Sequence, residues 1–230
     1  MAIAIGDIHG CLEPLRDLVD RLPPNEELVF LGDYVDRGPD SAGVLRYLEA
    51  LAETRPCRFL TGNHEDMMAQ ALGSQSALAL WLYNGGTATL RSYGLEAEEW
   101  AGRSPGQRGL PEFERFYRRL SLYHEDADAI YVHAGIDLDV PHMADQEREV
   151  LLWIRERFFV NGDRWQGKPI VFGHTPTQFM GLPLGMAFFH GKLRGIDTGC
   201  VYGGALTALD VRTDQLWQVP SPLPMPRPRR

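Results

Sequence analysis

Short apolar runs alternate with helically spaced leucines over the first sixty residues. Ala2 to Ile5, Leu28 to Leu31 and Arg58 to Thr61 read as strands. Between them, Leu12, Leu15, Leu18, Val19 and Leu22 keep helical spacing, as do Val44, Leu45, Leu48 and Leu51. Helices between strands predict βαβ units and a largely parallel sheet. Met67 to Arg119 is more helical, broken by Asn84-Gly85-Gly86 and by Gly102 to Pro111, and predicts an insertion or cap over roughly 67–119. Strand patterns return at Ala129 to Val132, Pro169 to Phe172, Met186 to Phe189, Leu193 to Ile196 and Ala205 to Val211. The expected fold is α/β, a layered α/β/β/α sandwich of two mixed sheets in one domain, 1–219; periodicity leaves a single mixed sheet open. The segment 220–230 holds five prolines and three arginines and reads as a flexible tail or polyproline-like extension.

Composition narrows the function. At 44% hydrophobic and 23% charged residues, the 230-residue chain has the make-up of a globular protein. A formal charge of −8 argues against nucleic acid or anionic lipid as a partner, since broad binding to either needs surplus Lys and Arg. Cys11, Cys57 and Cys200 form no CxxC pair and suit a reducing cytoplasm. Met1 to Ile5 lacks the basic flank and apolar core of a signal peptide, and no apolar run approaches the roughly 18 residues that cross a bilayer. A cytoplasmic protein without membrane contact is expected; oligomeric state is undetermined.

Three predicted strands end in turns rich in metal-binding side chains: GDIHG, GDYVDRG and GNHE. Two later strands deliver His133 in VHAG and His174 in FGHT. Ligands of open α/β sheets bind beyond the carboxyl ends of the strands, where Asp7, His9, Asp33, Asp36, Asn63 and His64 would converge with these two. The donors are carboxylate, imidazole and amide oxygen without thiolate, which suits Mn, Fe or Zn better than a structural tetrathiolate zinc. Six ligands exceed what one ion needs. If Asp33 bridges, Asp7 and His9 complete one ion, and Asn63, His133 and His174 complete a second about 3.5–4 Å away, with a water between them as nucleophile.

These strings resemble the phosphoprotein phosphatase family of calcineurin-like metallophosphoesterases, and most of all its short bacterial and bacteriophage members. The likeness extends through VHAG, Trp153-Ile154-Arg155-Glu156-Arg157, FGHT and IDTG. It implies two divalent ions per chain, manganese first among Mn, Fe, Zn and Ni, held by Asp7, His9 and Asp33 and by Asp33, Asn63, His133 and His174. A metal-bridging hydroxide would attack phosphorus directly. The likeness further implies His64 as general acid, oriented by Asp36, with Arg37 and Arg155 clamping the phosphate. A carboxylate beside an imidazole favours its protonated form, and a guanidinium can give phosphate two parallel hydrogen bonds.

The expected substrate is a phosphoserine or phosphothreonine protein or peptide, with phosphotyrosine also open. The alternative is a dinucleoside polyphosphate, because symmetrical diadenosine tetraphosphatases share the fold, the metals and the His-Ala-Gly-Ile string at 133–136. Against that alternative, those enzymes typically carry Ala where this chain has Asp36, and GNHD for GNHE. A remote third reading is a non-catalytic, metal-binding regulatory protein.

Overall fold

A computed structural model describes residues 2–224. In chain order it contains β1 (Ala2–Ile5), α1 (Leu12–Arg21), β2 (Glu27–Phe30), α2 (Ser41–Thr54), β3 (Cys57–Phe59), α3 (Asn63–Gly73), α4 (Gln75–Trp81), α5 (Thr87–Ser92), α6 (Ala97–Ala101) and α7 (Pro111–Tyr117). Then follow β4 (Tyr123–Glu125), β5 (Ile130–Val132), α8 (Arg148–Trp153), α9 (Glu156–Phe159), β6 (Ile170–Phe172), β7 (Phe188–His190), β8 (Leu193–Gly195), β9 (Ala205–Asp210) and β10 (Gln215–Pro220). A π-turn at Leu82–Gly86 joins α4 to α5.

The strands form two five-stranded sheets, ordered β10-β9-β1-β2-β3 and β4-β5-β6-β8-β7. Both are mixed: β1, β2 and β3 are parallel, β9 runs antiparallel between β1 and β10, and β5, β6 and β8 are parallel with β4 and β7 antiparallel to their neighbours. Period-two alternation assigns the faces. Ile3, Ile5, Leu28 and Phe30 face the helices, whereas Ala2, Ala4, Val29 and Leu31 meet Ala129, Tyr131, Val171 and Ile196 between the sheets. On the far side, Ile130, Val132, Ile170 and Phe172 pack with Leu151 of α8 and Phe158 of α9. The layers are α/β/β/α, as the sequence pattern predicts.

Three details depart from expectation. The helical stretch is no separate cap. It begins at Asn63, and Trp81, Trp100, Phe113 and Phe116 sink fully into the same core as α1 and α2. Its buried residues join that core, so they thicken the helix layer. The edge strands β4 and β10 were not anticipated: β4 is three residues with His124 and Glu125 in it, and only the partnering of β9 reveals β10. Pro220, assigned to the tail, closes β10; the Ser221 amide donates to Gly204, and Leu223 packs on the core. The rest of the expected tail, 225–230, lies outside the described residues. No described helix is long and apolar enough to cross a membrane.

Candidate metal centre and active site

Five parallel strands end at one place. Beyond β1 come Asp7 and His9, beyond β2 Asp33, beyond β3 Asn63 and His64, beyond β5 His133 and beyond β6 His174, all buried. The loops are stitched by backbone bonds: the Ile8 and His9 amides both donate to the Asp33 carbonyl, and the Gly173 amide to that of His133. Space is tight enough that a Cβ on Gly62 would lie 2.1 Å from Asp33 Oδ1, and one on Gly173 2.0 Å from Asp7 Oδ1. Six described non-glycine residues have positive φ, and five of them are His9, Asp33, Asp36, Arg37 and His174. Such backbone costs of the order of 1–3 kcal/mol per residue and persists where neighbours over-determine it.

Glu65 supplies much of that determination. Its Oε2 accepts from the amides of Asp33 and Gly62 (both 2.9 Å), and its Oε1 from those of Tyr34 (2.8 Å) and Val35 (3.2 Å). Burial and the Asp33 charge push this carboxyl up to about 8, against the opposing pull of the amides. With donors at all four positions, the acceptor-only carboxylate is the form the geometry fits.

Asp33 sits at the middle. Its Oδ2 lies 3.3 Å from His9 Nε2, and its Oδ1 lies 3.4 Å from His133 Nε2. Burial works against its charge, yet His133, His64 and His9 hold its carboxyl well below the ordinary range. Potential ligand atoms of His9, Asp33 and His64 fall within 4.8 Å of one another, as do those of Asp33, His133 and His174. The shared member is Asp33, the residue expected to bridge. Asp7 stands outside both groups. Its oxygens accept from the His174 amide at 3.1 and 3.0 Å, and burial, then Asp197 and Asp33, raise its carboxyl well above the usual value.

The donor chemistry fits cations. His9 Nδ1 lies 2.7 Å from the Val35 carbonyl and His133 Nδ1 2.9 Å from that of Leu31, so each Nδ1 is the donor and each Nε2 turns to the centre; burial lowers the His133 imidazole, which leaves its Nε2 a lone pair. His133 Nε2 then faces Asn63 Oδ1 at 3.0 Å, an acceptor against an acceptor, and His174 Nδ1 lies 2.9 Å from that oxygen. His174 Nε2 and His64 Nε2 are buried without a partner among the described residues. A cation between such lone pairs removes the conflict. The ligand groups and the fold together imply divalent metal ions.

His64 and Asp36 pair at 2.7 Å through Nδ1 and Oδ2, and His64 Nε2 lies 4.0 Å from Asp33. Asp36 also accepts from Thr89 Oγ1 (2.6 Å) and from Trp81 Nε1 (2.9 Å to Oδ2). Burial pushes Asp36 up to about 7 and holds His64 well below the usual imidazole value. The paired carboxylate favours imidazolium, and burial opposes it.

Arg37 Nη1 reaches His9 Nε2 at 2.6 Å, its guanidinium lies over the Tyr202 ring at 5.7 Å, and its amide donates to Gly85 of the Asn84-Gly85-Gly86 turn. Arg155, solvent-exposed, donates to the His174 carbonyl (3.2 Å) and Thr175 Oγ1 (3.1 Å), which sets it beside the centre. Both arginines line an open cleft of ≈ 390 Å³ with His174, Phe159, Phe179 and Tyr202. His190 pairs with Asp163 on the edge strand β7, and Cys200 hydrogen-bonds Cys11 in the core, which with burial pushes its thiol up, away from reactivity.

Sequence reasoning missed Asp197. It is buried beyond β8, its Oδ1 accepts from the Gly199 amide at 3.1 Å, and burial pushes it up to about 6. Its signal was the one used for the other residues, a carboxylate just past a strand. Trp81 and Thr89 carried no such signal.

This fold and its strand-end cluster of Asp, Asn and His define a metal-dependent phosphoesterase. The chain belongs to the calcineurin-like phosphoesterase family, whose sequence pattern matches residues 2–183. It is 28% identical over 254 residues to the asymmetrical bis(5'-nucleosyl)-tetraphosphatase PrpE of Halalkalibacterium halodurans, covering 96% of this chain and 94% of that protein. A crystal structure provisionally assigned to a diadenosine tetraphosphatase superposes with a TM-score of 0.66 at 24% identity, covering 96% of this chain and 93% of that one. The cold-active protein-tyrosine phosphatase of a psychrophilic Shewanella species gives 0.59 at 16% identity, covering 94% and 79%.

Proposed function

We propose that the protein hydrolyses dinucleoside polyphosphates such as diadenosine tetraphosphate, cutting off centre to release a nucleoside monophosphate and a triphosphate. The observation that carries this reading is the end-to-end match, 96% and 94%, with PrpE. It reverses the order expected from the motifs, which put a protein phosphatase first, and it replaces symmetrical by asymmetrical cleavage. Asp7, His9 and Asp33 would hold one ion, and Asp33, Asn63, His133 and His174 the other. Bound there, two divalent ions supply Lewis acidity towards phosphoryl oxygen and an acidified water.

The chain's own groups do the rest. Arg37 and Arg155 hold and neutralise phosphate oxygens beside the centre. Asp36, fixed by Thr89 and Trp81, orients His64 so that Nε2 faces the reacting group. This substrate asks little of His64 as an acid. A departing nucleoside phosphate is already a stable anion, with a second ionisation near pH ~6, and needs far less protonation than a serine alkoxide. The three free thiols fit a reducing cytoplasm.

The intact Asp36–His64 pair favours one rival, a protein phosphatase acting on alkyl phosphates. One assay separates them: metal-stripped protein, each divalent ion restored singly, given diadenosine tetraphosphate and a phosphoserine peptide at equal concentration. Faster dinucleotide turnover yielding AMP and ATP is expected. Faster peptide turnover overturns the proposal, and two equal ADP products would make the cleavage symmetrical.

A further inference from the structure

Of the ten phenylalanines, Phe179 is the most exposed, at 69%, and it is the one exposed aromatic ring among the described residues lining the cleft beside the two arginines. It stands on the 3₁₀ turn Thr177–Met180, which starts three residues after His174, donates from the Phe179 amide to Pro176 (2.8 Å) and is closed by left-handed Gly181. The turn is tied to the centre as well, since the Thr177 amide donates to the Asp197 carbonyl at 2.9 Å. A cleft with cationic groups at the reacting phosphate and a fixed exposed ring beside them matches a phosphorylated ligand that carries a flat aromatic body.

We infer that Phe179 is a specificity-determining residue that stacks against one nucleobase of the substrate while Arg37 and Arg155 hold the phosphate chain. Stacking is tolerant of base identity because every base has a π-face, so Phe179 distinguishes nucleotides from base-free polyphosphates without selecting among bases. The inference rests on the dinucleotide reading.

The test compares manganese-loaded wild type with Phe179→Ala and Phe179→Trp. Three quantities are read: KM and kcat for diadenosine tetraphosphate, and the inhibition constant of inorganic tripolyphosphate, which has no base. The expected result is a rise in dinucleotide KM of about tenfold to a hundredfold in Phe179→Ala. Its kcat and tripolyphosphate inhibition stay unchanged, and Phe179→Trp restores the wild-type KM. An unchanged KM, or an equal weakening of tripolyphosphate, overturns the subsite. If wild type cleaves the phosphoserine peptide and leaves the dinucleotide intact, the dinucleotide reading fails and the subsite with it.

Discussion

Replacing Glu65 by Gln tests whether the geometry of the centre depends on one carboxylate outside it. Each oxygen of Glu65 accepts two backbone amides, four in all, from the loops that carry Asp33 and Asn63. In Gln one oxygen becomes an NH2 group, which meets two N–H donors it cannot accept. Two buried amides are orphaned at about 1–3 kcal/mol each, a loss of about 2–6 kcal/mol. For a chain of this size each kcal/mol moves Tm by about 2–4 °C, so melting should fall by roughly 4–24 °C.

The same amides hold Asp33 at φ 52°, so loosening them should weaken metal binding by about 10- to 100-fold, the usual effect of losing a supporting hydrogen bond. Scanning calorimetry of the metal-free protein and a manganese titration read the two effects separately. Glu65→Asp, one methylene shorter, should fall between wild type and Glu65→Gln in both. A Tm within about 2 °C of wild type, the scale of an ordinary surface substitution, together with unchanged manganese affinity would refute the bracing role.

Asp33→Asn should lose both ions together, because its two oxygens face the two ligand groups; two metals retained per chain by elemental analysis would contradict bridging. His64→Asn should keep its metals and lower turnover of a phosphoserine peptide by about 10²–10⁴, with a smaller loss on diadenosine tetraphosphate; equal losses on both would remove the general-acid role. Asp197 is raised to about 6, so its contribution to stability is present below the unfolded value of 3.8 and is lost as pH rises through about 6. Asp197→Asn should therefore melt higher than wild type at pH ~7.5 without metal, by up to about 3 kcal/mol, with the gap closing below pH ~4; parallel Tm curves across that range would exclude a buried charge there.

Most of the site was legible because its residues obey a local rule. Asp7, His9, Asp33, Asn63, His133 and His174 each follow a short apolar strand within a few residues, so strand ends alone bring them together. Asp197 obeys the rule as well and was passed over because IDTG was read as a string and not as a strand end. The roles of Trp81 and Thr89 could not be read in this way: they meet Asp36 from 45 and 53 residues away, through helices whose docking no local pattern specifies. Edge strands β4 and β10 failed for a related reason, since a strand with one neighbour tolerates polar residues such as His124 and a terminal Pro220.

The helical segment read from sequence as an insertion or cap also supplies the wall that buries Asp36. Trp81 and Trp100 meet edge-on at 5.5 Å within the core, and Trp81 presents its indole N–H to the carboxylate. Removing that wall would expose Asp36, relieve the burial that holds it near 7 and free His64 to become imidazolium. Packing behind Asp36 thus bears on the ionisation of the Asp36–His64 pair. The motif strings identify the shared chemistry; the packing behind Asp36 bears on which phosphate ester it serves.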